Sequence, residues 1–506
     1  MRDHWNWTND HQYVTSDCNA IQNIYANHNY TQTDAEAVGV AWAAGNDNSC
    51  EAGSKTNITG SYAQGLLTVD EIDTSLRRMY EGLIRAGYFN PNSSEYRNIG
   101  WDQVNTPQAQ QLARSSASDG MVLLKNNGLF PLKPSKNTVV AMIGFWANGT
   151  NTMQGGYSGP APYVHSPLYA AQQLGIDYIY ADGPLNQSAT TGNWTETAMD
   201  AANKADIILY FGGINGTVEA ESLDRYQIAY SASQVALIEQ ICSLGKPCAI
   251  LQMGDQLDSS AWLNSPNISA IIWAGYPGQD GGPALFDLIT GAKSPAGRLP
   301  VTQYPADYVN EIALTDMALR PGGSTPGRTY KWYNDAVLPF GYGLSYTKFA
   351  ASFQGGYRKR DHGKGDHPKP VPCYDINALT SCKAAHPDLC PFPSVEINVK
   401  NTGKVESDFV VLLFVNGTYG PAPYPLKTLV AYTRLRGVQA GRSVGASLDF
   451  PVANLARRDA QGNMVLYPGV YNLLLDVPTQ AVASFELTGQ PKVLDQWPQP
   501  PANQTA

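Results

Sequence analysis

Between residues 121 and 290 the chain alternates short apolar runs with helix-like stretches, and this alternation restricts the fold more than any other feature. Residues 139–143, 207–211, 248–252 and 270–273 are apolar almost throughout and are mostly bounded by Gly, Asn or other turn formers. Residues 168–174, 195–204, 233–244 and 282–290 lie between or after them with helical patterning. Runs without polar alternation suit strands buried on both faces. Strands separated by helices imply βαβ units, hence a mainly parallel sheet with helices on both sides. In such a sheet functional loops lie at the carboxyl ends of the strands. One of them is GGINGTVEAESLDR, residues 212–225, directly after the run 207–211.

At 506 residues the chain exceeds one ordinary core, so two or three domains are expected. Residues 1–103 read as one strand and several helices. The strand is QYVTSDC, residues 12–18, which ends in an aspartate where a loop should open. Residues 33–44 form an Ala-rich helix. Thr68 and Glu71 form a capping box, and the helix they start carries Ile72, Leu76, Met79, Tyr80, Leu83 and Ile84 on one broad face before Gly87 ends it. Residues 104–135 are expected as a linker with a helix at 107–118, a short strand or helix end at 121–124 and a turn at Asn126-Asn127-Gly128. The sheet domain runs over 136–348. Residues 349–394, rich in Gly, Lys, Arg, His and Pro, read as an inserted loop. Residues 395–490 switch to about seven short alternating strands, an immunoglobulin-like or fibronectin-like sandwich. The Pro-rich tail 491–506 is expected to be disordered.

Charged residues are 15% of the chain and the net charge is −9, which argues against nucleic acid or an anionic membrane as partner. No apolar run approaches the ~20 residues of a membrane span. Sequons occur at Asn6, Asn29, Asn57, Asn92, Asn148, Asn186, Asn193, Asn215, Asn267, Asn416 and Asn503, a density that suits a glycosylated secretory protein. The seven cysteines form no Cys-x-x-Cys, which fits an oxidising compartment with pairs such as Cys18–Cys50 and Cys242–Cys248. Cys373, Cys382, Cys390 and His386 match no familiar zinc spacing, so a local disulfide is the expectation there. The opening MRDHWNWTNDH has no apolar core and does not read as a signal peptide, so either the protein is not secreted by that route or its true start lies upstream.

Two carboxylate positions stand out. Asp17 ends the strand at 12–18, where the structural alternative is a helix cap for the residues after it. Glu219, Glu221 and Asp224 form an acidic stretch after a strand and a Gly-Gly turn, where the alternative is a solvated loop. Two carboxylates facing each other across a cleft are the minimum equipment for glycoside hydrolysis: one attacks the anomeric carbon or activates water, the other protonates the leaving oxygen. A separation of ~5–5.5 Å means retention, and ~6.5–9.5 Å means inversion. The chain has no Gly-x-Ser-x-Gly elbow, Walker lysine loop, His-Glu-x-x-His or strand-linked Gly-x-Gly-x-x-Gly. The scattered histidines, His4, His11 and His28 among them, read as surface residues.

With YVTSDC, TPQAQQLARSSASDGMVLLKNNGLFPL, GGINGTVEAESLDR, WAGYPGQDGGPALFDLITGAKSPAGRLPVTQYP, GRTYKWY and LPFGYGLSYT in this order before a fibronectin-like sandwich, the chain resembles glycoside hydrolase family 3, nearest its fungal β-xylosidase branch. The resemblance covers nearly the whole chain. It implies a TIM-type barrel joined to an (α/β)6 sandwich and a fibronectin type III-like domain. It also implies a secreted, retaining exo-hydrolase that releases xylose from β-1,4-xylo-oligosaccharides without metal or organic cofactor. Asp17 would be the nucleophile. Glu221, three residues before Asp224-Arg225, would be the general acid/base, with Glu219 its nearest rival. Cys18 stands where the β-glucosidase branch usually has Trp, and by the resemblance pairs with Cys50, which favours a pentose donor. A β-glucosidase or α-L-arabinofuranosidase of the same fold, and an inactive carbohydrate-binding protein, are the alternatives.

The chain also departs from that family. Only sixteen residues precede Asp17, whereas the family's nucleophile lies near the end of its barrel. Most of an eight-stranded barrel, ~200 residues or more, is therefore expected to be missing. Residues 1–103 would be the C-terminal remnant, with the segment 12–18 a strand lacking neighbours and its apolar faces exposed. On that reading the activity of this chain is in doubt.

Overall fold

The computed structural model describes residues 1–2, 5–9, 11–50, 56–133, 135–323, 325–355 and 371–497. The first hundred residues are helical: α1 (Ala20–Ala26), α2 (Asp34–Ala43), α3 (Ile58–Ala63) and α4 (Val69–Arg85). Thr33 caps α2, and the expected Thr68–Glu71 box caps α4, with Glu71 N 3.2 Å from Thr68 Oγ1 and Thr68 N 2.8 Å from Glu71 Oε2. Their shared core is small, built on Ile21, Val38, Trp42 and Leu67. The apolar face of α4 stays largely uncovered, with Leu76, Tyr80 and Ile84 at 41%, 47% and 58% exposure. Residues 12–18 do not form a full strand. They make one parallel bridge, Thr15 to Asn48, and so have one neighbour where none was expected. The buried Asp47 holds them by accepting from Val14 N at 2.8 Å and from Arg78 at 2.9 Å, with Arg2 also on its carboxylate.

The expected linker is part of the main domain, a correction to the reading of 104–135. Its helix α5 (Pro107–Gly120) packs on the sheet domain, and β1 (Val122–Asn126) is the antiparallel edge strand of the central sheet. Lys125, the one charged residue of β1, reaches its Nζ to the carbonyls of Trp262 and Ser265 at 3.0 and 2.7 Å. The remaining elements follow as β2 (Val139–Ile143), α6 (Pro167–Gln173), β3 (Asp177–Ala181), α7 (Asn193–Lys204), β4 (Ile207–Gly213), α8 (Ala232–Cys242), β5 (Cys248–Met253), α9 (Ser260–Leu263), β6 (Ala270–Gly275) and α10 (Gly281–Thr290). The sheet order is β1-β6-β5-β4-β2-β3, parallel from β6 through β3.

Both faces of this sheet are dry, which is why its strands read as unbroken apolar runs. Ala141, Ile143, Ile208, Tyr210, Cys248 and Ile250 pack against α7 and α8 through Ala198, Ala201, Leu237 and Ile241. The alternate residues Val140, Met142, Leu209, Phe211, Ala249 and Leu251 pack against α6 and α10 through Ala170, Ala171, Leu285 and Phe286. This is the period of two that a strand imposes. The order also reverses once. After β2 the chain goes outward to β3, then returns to place β4 on the other side of β2. The carboxyl ends of β2 and β4 therefore flank a topological switch point, where open α/β sheets leave a crevice.

The last part is a sandwich of two sheets, β11-β10-β15-β16-β8 facing β12-β9-β7, made of β7 (Phe349–Phe353), β8 (Cys373–Asp375), β9 (Val395–Asn401), β10 (Ser407–Asn416), β11 (Thr428–Val438) and β12 (Ser443–Leu448), with β15 and β16 completing it. Its inner faces meet on Val399, Val411, Leu413, Tyr471, Leu473 and Phe485. Between them in the chain come β13 (Arg457–Arg458) and β14 (Met464–Leu466), then β15 (Gly469–Leu475), β16 (Ala481–Thr488) and β17 (Lys492–Asp495). Two expectations are corrected here. The stretch 349–394 is not a plain insertion, because β7 pairs with β9 and β8 pairs with β16. The tail is ordered at its start, because β17 pairs with β14. Residues 356–370 of the expected insertion, and 498–506 of the expected tail, lie outside the described residues.

Three disulfides close the described cysteines: Cys18–Cys50, Cys242–Cys248 and Cys382–Cys390. Cys373 is a free, exposed thiol. Two thiols of that group are joined to each other and His386 Nδ1 lies 2.8 Å from Asp388, and among the described residues no His, Cys, Asp and Glu cluster has metal-binding geometry. None of the described helices is long and apolar enough to cross a membrane.

Candidate active site

The crevice at the switch point is a cavity of about 1150 Å³. Its walls are the loops that leave the carboxyl ends of four parallel strands. The loop after β2 supplies Gly155, Gly156 and Tyr157; the loop after β4 supplies residues 216–228; Asp255 follows β5 and Tyr276 follows β6. A later segment adds Tyr304, Tyr308 and Arg328. Carboxylates, aromatic rings and two guanidinium groups on a concave wall are the chemistry of a polar, ring-shaped ligand site.

The loop after β4 is rigidly founded. Gly213 adopts φ 121°, and a Cβ there would lie 2.0 Å from Met253 O, so only glycine lets the loop leave the strand this close to β5. The carbonyl of the next residue, Ile214, accepts from Trp146 Nε1 at 3.2 Å, with Trp146 fully buried beneath. Asn215 Oδ1 then accepts from Thr217 N at 3.0 Å and Thr217 Oγ1 at 2.7 Å, a side-chain turn that redirects the chain.

Beyond this comes a tight turn. Ala220 and Leu223 exchange both backbone hydrogen bonds, at 3.1 and 3.0 Å, so Glu221 and Ser222 occupy the two corners. Ser222 has φ 63°, the left-handed second corner that such a turn demands. Glu221 is thereby held out at the tip, exposed, where it accepts a hydrogen bond from Tyr157 Oη. The glycines before Tyr157 matter as well: Gly155 lies against the Tyr276 ring.

Glu219, two residues earlier, lines the same cavity but is less exposed. Its side chain is 30% exposed and forms an ion pair with Arg225. Burial, then a hydrogen bond with Asp255, push its carboxyl up to about 7 despite Arg225. Arg225 also donates to Gln256 O at 2.9 Å. Tyr276, beside them, is raised to about 12, chiefly by burial and then by the Asp255 charge.

Asp17 is exposed, accepts from Cys18 N at 2.7 Å, and is absent from the residues lining the cavity. Its charge is nevertheless felt at the Tyr157 hydroxyl. The Tyr157 hydroxyl is held above the ordinary tyrosine range, first by its hydrogen bond to Glu221, and in smaller part by the charges of Glu221 and Asp17. Sequence reasoning did not single out Tyr157, Asp255 or Tyr276. The signal for Tyr157 was the Gly155-Gly156 pair in the loop after β2; Asp255 and Tyr276 carried none beyond following a buried strand.

Residues 121–346 match the model of the glycosyl hydrolase family 3 C-terminal domain. The chain is 46% identical over 509 aligned residues to a probable exo-1,4-beta-xylosidase of Aspergillus fumigatus, covering 99% of this chain and 64% of that protein. It is 45% identical to a probable exo-1,4-beta-xylosidase of Aspergillus terreus, with 100% and 64% covered. Among solved structures, a family 3 exo-beta-xylosidase in complex with a xylobiose aziridine activity-based probe superposes with a TM-score of 0.86 at 39% identity, over 99% of this chain and 64% of that one. A beta-glucosidase of Listeria innocua shares the fold, with a TM-score of 0.74 at 19% identity, over 94% of this chain and 64% of that one. The chain therefore spans a little under two thirds of the length of these relatives.

Proposed function

Because the chain belongs to glycosyl hydrolase family 3, we propose that it carries the catalytic carboxylates of a retaining exo-acting β-xylosidase, with β-1,4-xylo-oligosaccharides as substrate. Asp17 attacks the anomeric carbon while Glu221 protonates the departing oxygen. Glu221 then removes a proton from water, which displaces Asp17 from the glycosyl intermediate. The observation that supports this reading is the exposed Glu221 carboxylate, which lines the cavity at the tip of its turn and accepts a hydrogen bond from Tyr157. Glu219, the rival acid, is already engaged by Arg225 and Asp255.

On the same reading residues 1–103 are the last part of a TIM-type barrel, the sheet domain is an (α/β)6 sandwich and the final sandwich is fibronectin type III-like. The relatives' extra length would complete the barrel. Secretion fits the three disulfides and the sequons. Glycans belong on exposed sequons such as Asn148 and Asn267. They do not belong on Asn215, which is 6% exposed with its carboxamide oxygen committed to Thr217.

The test is hydrolysis of an aryl β-D-xyloside by the 506-residue chain secreted behind a heterologous leader, beside Asp17→Asn and Glu221→Gln. Activity abolished in both variants, with azide restoring turnover of an activated xyloside in Glu221→Gln, supports the assignment. Activity that survives Asp17→Asn defeats it.

A further inference from the structure

A second cavity, of about 510 Å³, lies on the α6 and α10 side of the sheet, against α5. Two loops serve both cavities. The loop after β2 gives Tyr157 to the first and Tyr163 and His165 to the second; the loop after β6 gives Tyr276 to the first and Asp280 to the second. Three rings form a ladder on the second wall. His165 stacks on Tyr163 with centroids 4.3 Å apart, and on Tyr169 at 3.8 Å with the planes 3° from parallel. The ladder is anchored from beneath. Asp280, 7% exposed, accepts from Tyr163 Oη on one oxygen at 3.1 Å and has His165 Nδ1 3.2 Å from the other. The His165 backbone is bonded on both sides, to Gln279 O at 2.7 Å and from Gly282 N at 3.0 Å. A Cβ on Gly282 would lie 2.1 Å from Ser166 O, so α10 meets the start of α6 at backbone distance. Tyr169, the last ring of the ladder, has one face on His165 and is still 37% exposed, which leaves part of it for a ligand.

The charges around this cavity are already paired. Arg114 lies bidentate on Asp287, at 2.8 and 2.6 Å. An anion would meet a guanidinium already neutralised and a buried carboxylate; a cation would meet carboxylate oxygens already taken. Exposed at the rim are the carboxamides of Gln111 and Gln173, neutral groups that both donate and accept. An aromatic face beside neutral two-way hydrogen-bonding groups selects a neutral, polyhydroxylated ring, whose axial C–H bonds pack on the aromatic face while its hydroxyls meet the amides. A β-D-xylopyranose has this form on both faces, because its hydroxyls are equatorial and its ring C–H bonds axial.

We propose that the second cavity is a saccharide-binding site that holds a neutral xylo-oligosaccharide on the Tyr169 ring and the Gln111 and Gln173 amides, apart from the carboxylates of the first cavity. That it takes a neutral sugar follows from its own groups; the choice of xylose rests on the function proposed above.

Methyl NMR of the full chain reads the two cavities separately. The methyls of Ala170 and Leu174 report on the second, those of Leu223 and Ile228 on the first. Glu221→Gln is the background, so that the sugar is not consumed. On titration with xylotetraose the Ala170 and Leu174 signals should shift saturably, with a midpoint below about 10 mM. Tyr169→Ala should weaken this binding about tenfold, and Tyr169→Phe, which keeps the ring, should not. The double variant Gln111→Ala, Gln173→Ala should weaken it as well; both residues are exposed, so this variant carries the test even if Tyr169→Ala does not fold. None of these changes should alter the response of Leu223 and Ile228. Tetragalacturonate, an acidic oligosaccharide, should shift neither Ala170 nor Leu174. The absence of a saturable shift overturns the proposal. So does unchanged affinity in the glutamine double variant, or binding of tetragalacturonate as tight as that of xylotetraose. Hydrolysis that survives Asp17→Asn would defeat the catalytic assignment and leave the Ala170 and Leu174 response standing; hydrolysis lost as expected, with no such response, would defeat the second site alone.

Discussion

Replacing Arg298 by methionine should loosen the final sandwich from the sheet domain, and the size of the effect can be worked from its partners. The Arg298 guanidinium lies 2.9 Å from Asp476 Oδ1 and 3.3 Å from the carbonyls of Val410 and Val477, above the Phe409 ring at 5.3 Å. The Asp476 side chain is 3% exposed. Burial pushes its carboxyl up, and Arg298 is the main force opposing that. Without Arg298 the carboxylate keeps Gln480 Nε2 at 2.6 Å as its side-chain donor. Breaking a buried pair from one side costs about 3–5 kcal/mol; the retained amide argues for about 3. A raised carboxyl is most stable in the fold below its unfolded value, and that stability is lost as pH rises through the folded one. The loss in Arg298→Met should therefore shrink as pH falls from 7 to 5, by at most about 1.4 kcal/mol per unit. Adding Asp476→Asn should recover part of it, because asparagine is neutral and tolerates the φ of 72° at this position. Calorimetry of the three proteins at both pH values decides the matter. A loss below about 1 kcal/mol at pH 7, or no recovery in the double variant, would refute the reasoning.

The remaining predictions concern the other junction, the loop base and the smallest core. Burial pushes the Asp119 carboxyl up, but Lys293, Arg434 and Arg436 outweigh this and hold it below the ordinary carboxylate value. Its contribution is present above the unfolded value and lost as pH falls through the lowered one, so Asp119→Asn should flatten the acid limb of the stability profile. At pH 7 it should cost about 1 kcal/mol, screened by solvent at Arg436, as urea titrations would show. Gly213→Ala forces φ 121° on a residue whose Cβ meets Met253 O. It should cost more than about 3 kcal/mol, and an unchanged melting temperature would contradict that. Replacing Cys50 by Ser, which removes only the Cys18–Cys50 bridge, should abolish any hydrolysis while near-ultraviolet signals of the sheet domain persist, because Asp17 adjoins that bridge and the cores of the sheet domain lie elsewhere.

The sheet was legible in the sequence because burial on both faces leaves an unmistakable trace in the composition of each strand. Residues 139–143 and 248–253 are strands in which no residue is exposed. The capping box at Thr68 was legible for a local reason: both of its hydrogen bonds join residues three apart. The strand expected at 12–18 was misjudged because β propensity describes a residue that has neighbours on both sides. Here Thr15 finds only Asn48, and the segment is held mainly by Asp47 and a disulfide. The pairing of β7 with β9 escaped notice for the opposite reason. Its partner lies about 50 residues away beyond a Gly- and Lys-rich stretch that dominates any local reading. Of the site, the acidic loop and Asp17 were legible as residues but not as neighbours. Tyr157, which hydrogen-bonds Glu221, comes from a loop 64 residues earlier, and only the switch in strand order brings the two loops together.

That difference in scaffolding bears on how the two carboxylates can work together. Glu221 hangs from a sheet whose two cores are continuous and dry, through a loop fixed by Gly213, Trp146 and Asn215. Asp17 hangs from a cluster of six buried side chains, next to a helix whose apolar face is open to water. Retaining hydrolysis needs the two carboxyl groups held about 5–5.5 Å apart on opposite sides of one bond, and errors of about 1 Å are costly. If Asp17 and Glu221 are the pair proposed above, its precision is set by the looser member, and covering Leu76, Tyr80 and Ile84 should raise turnover.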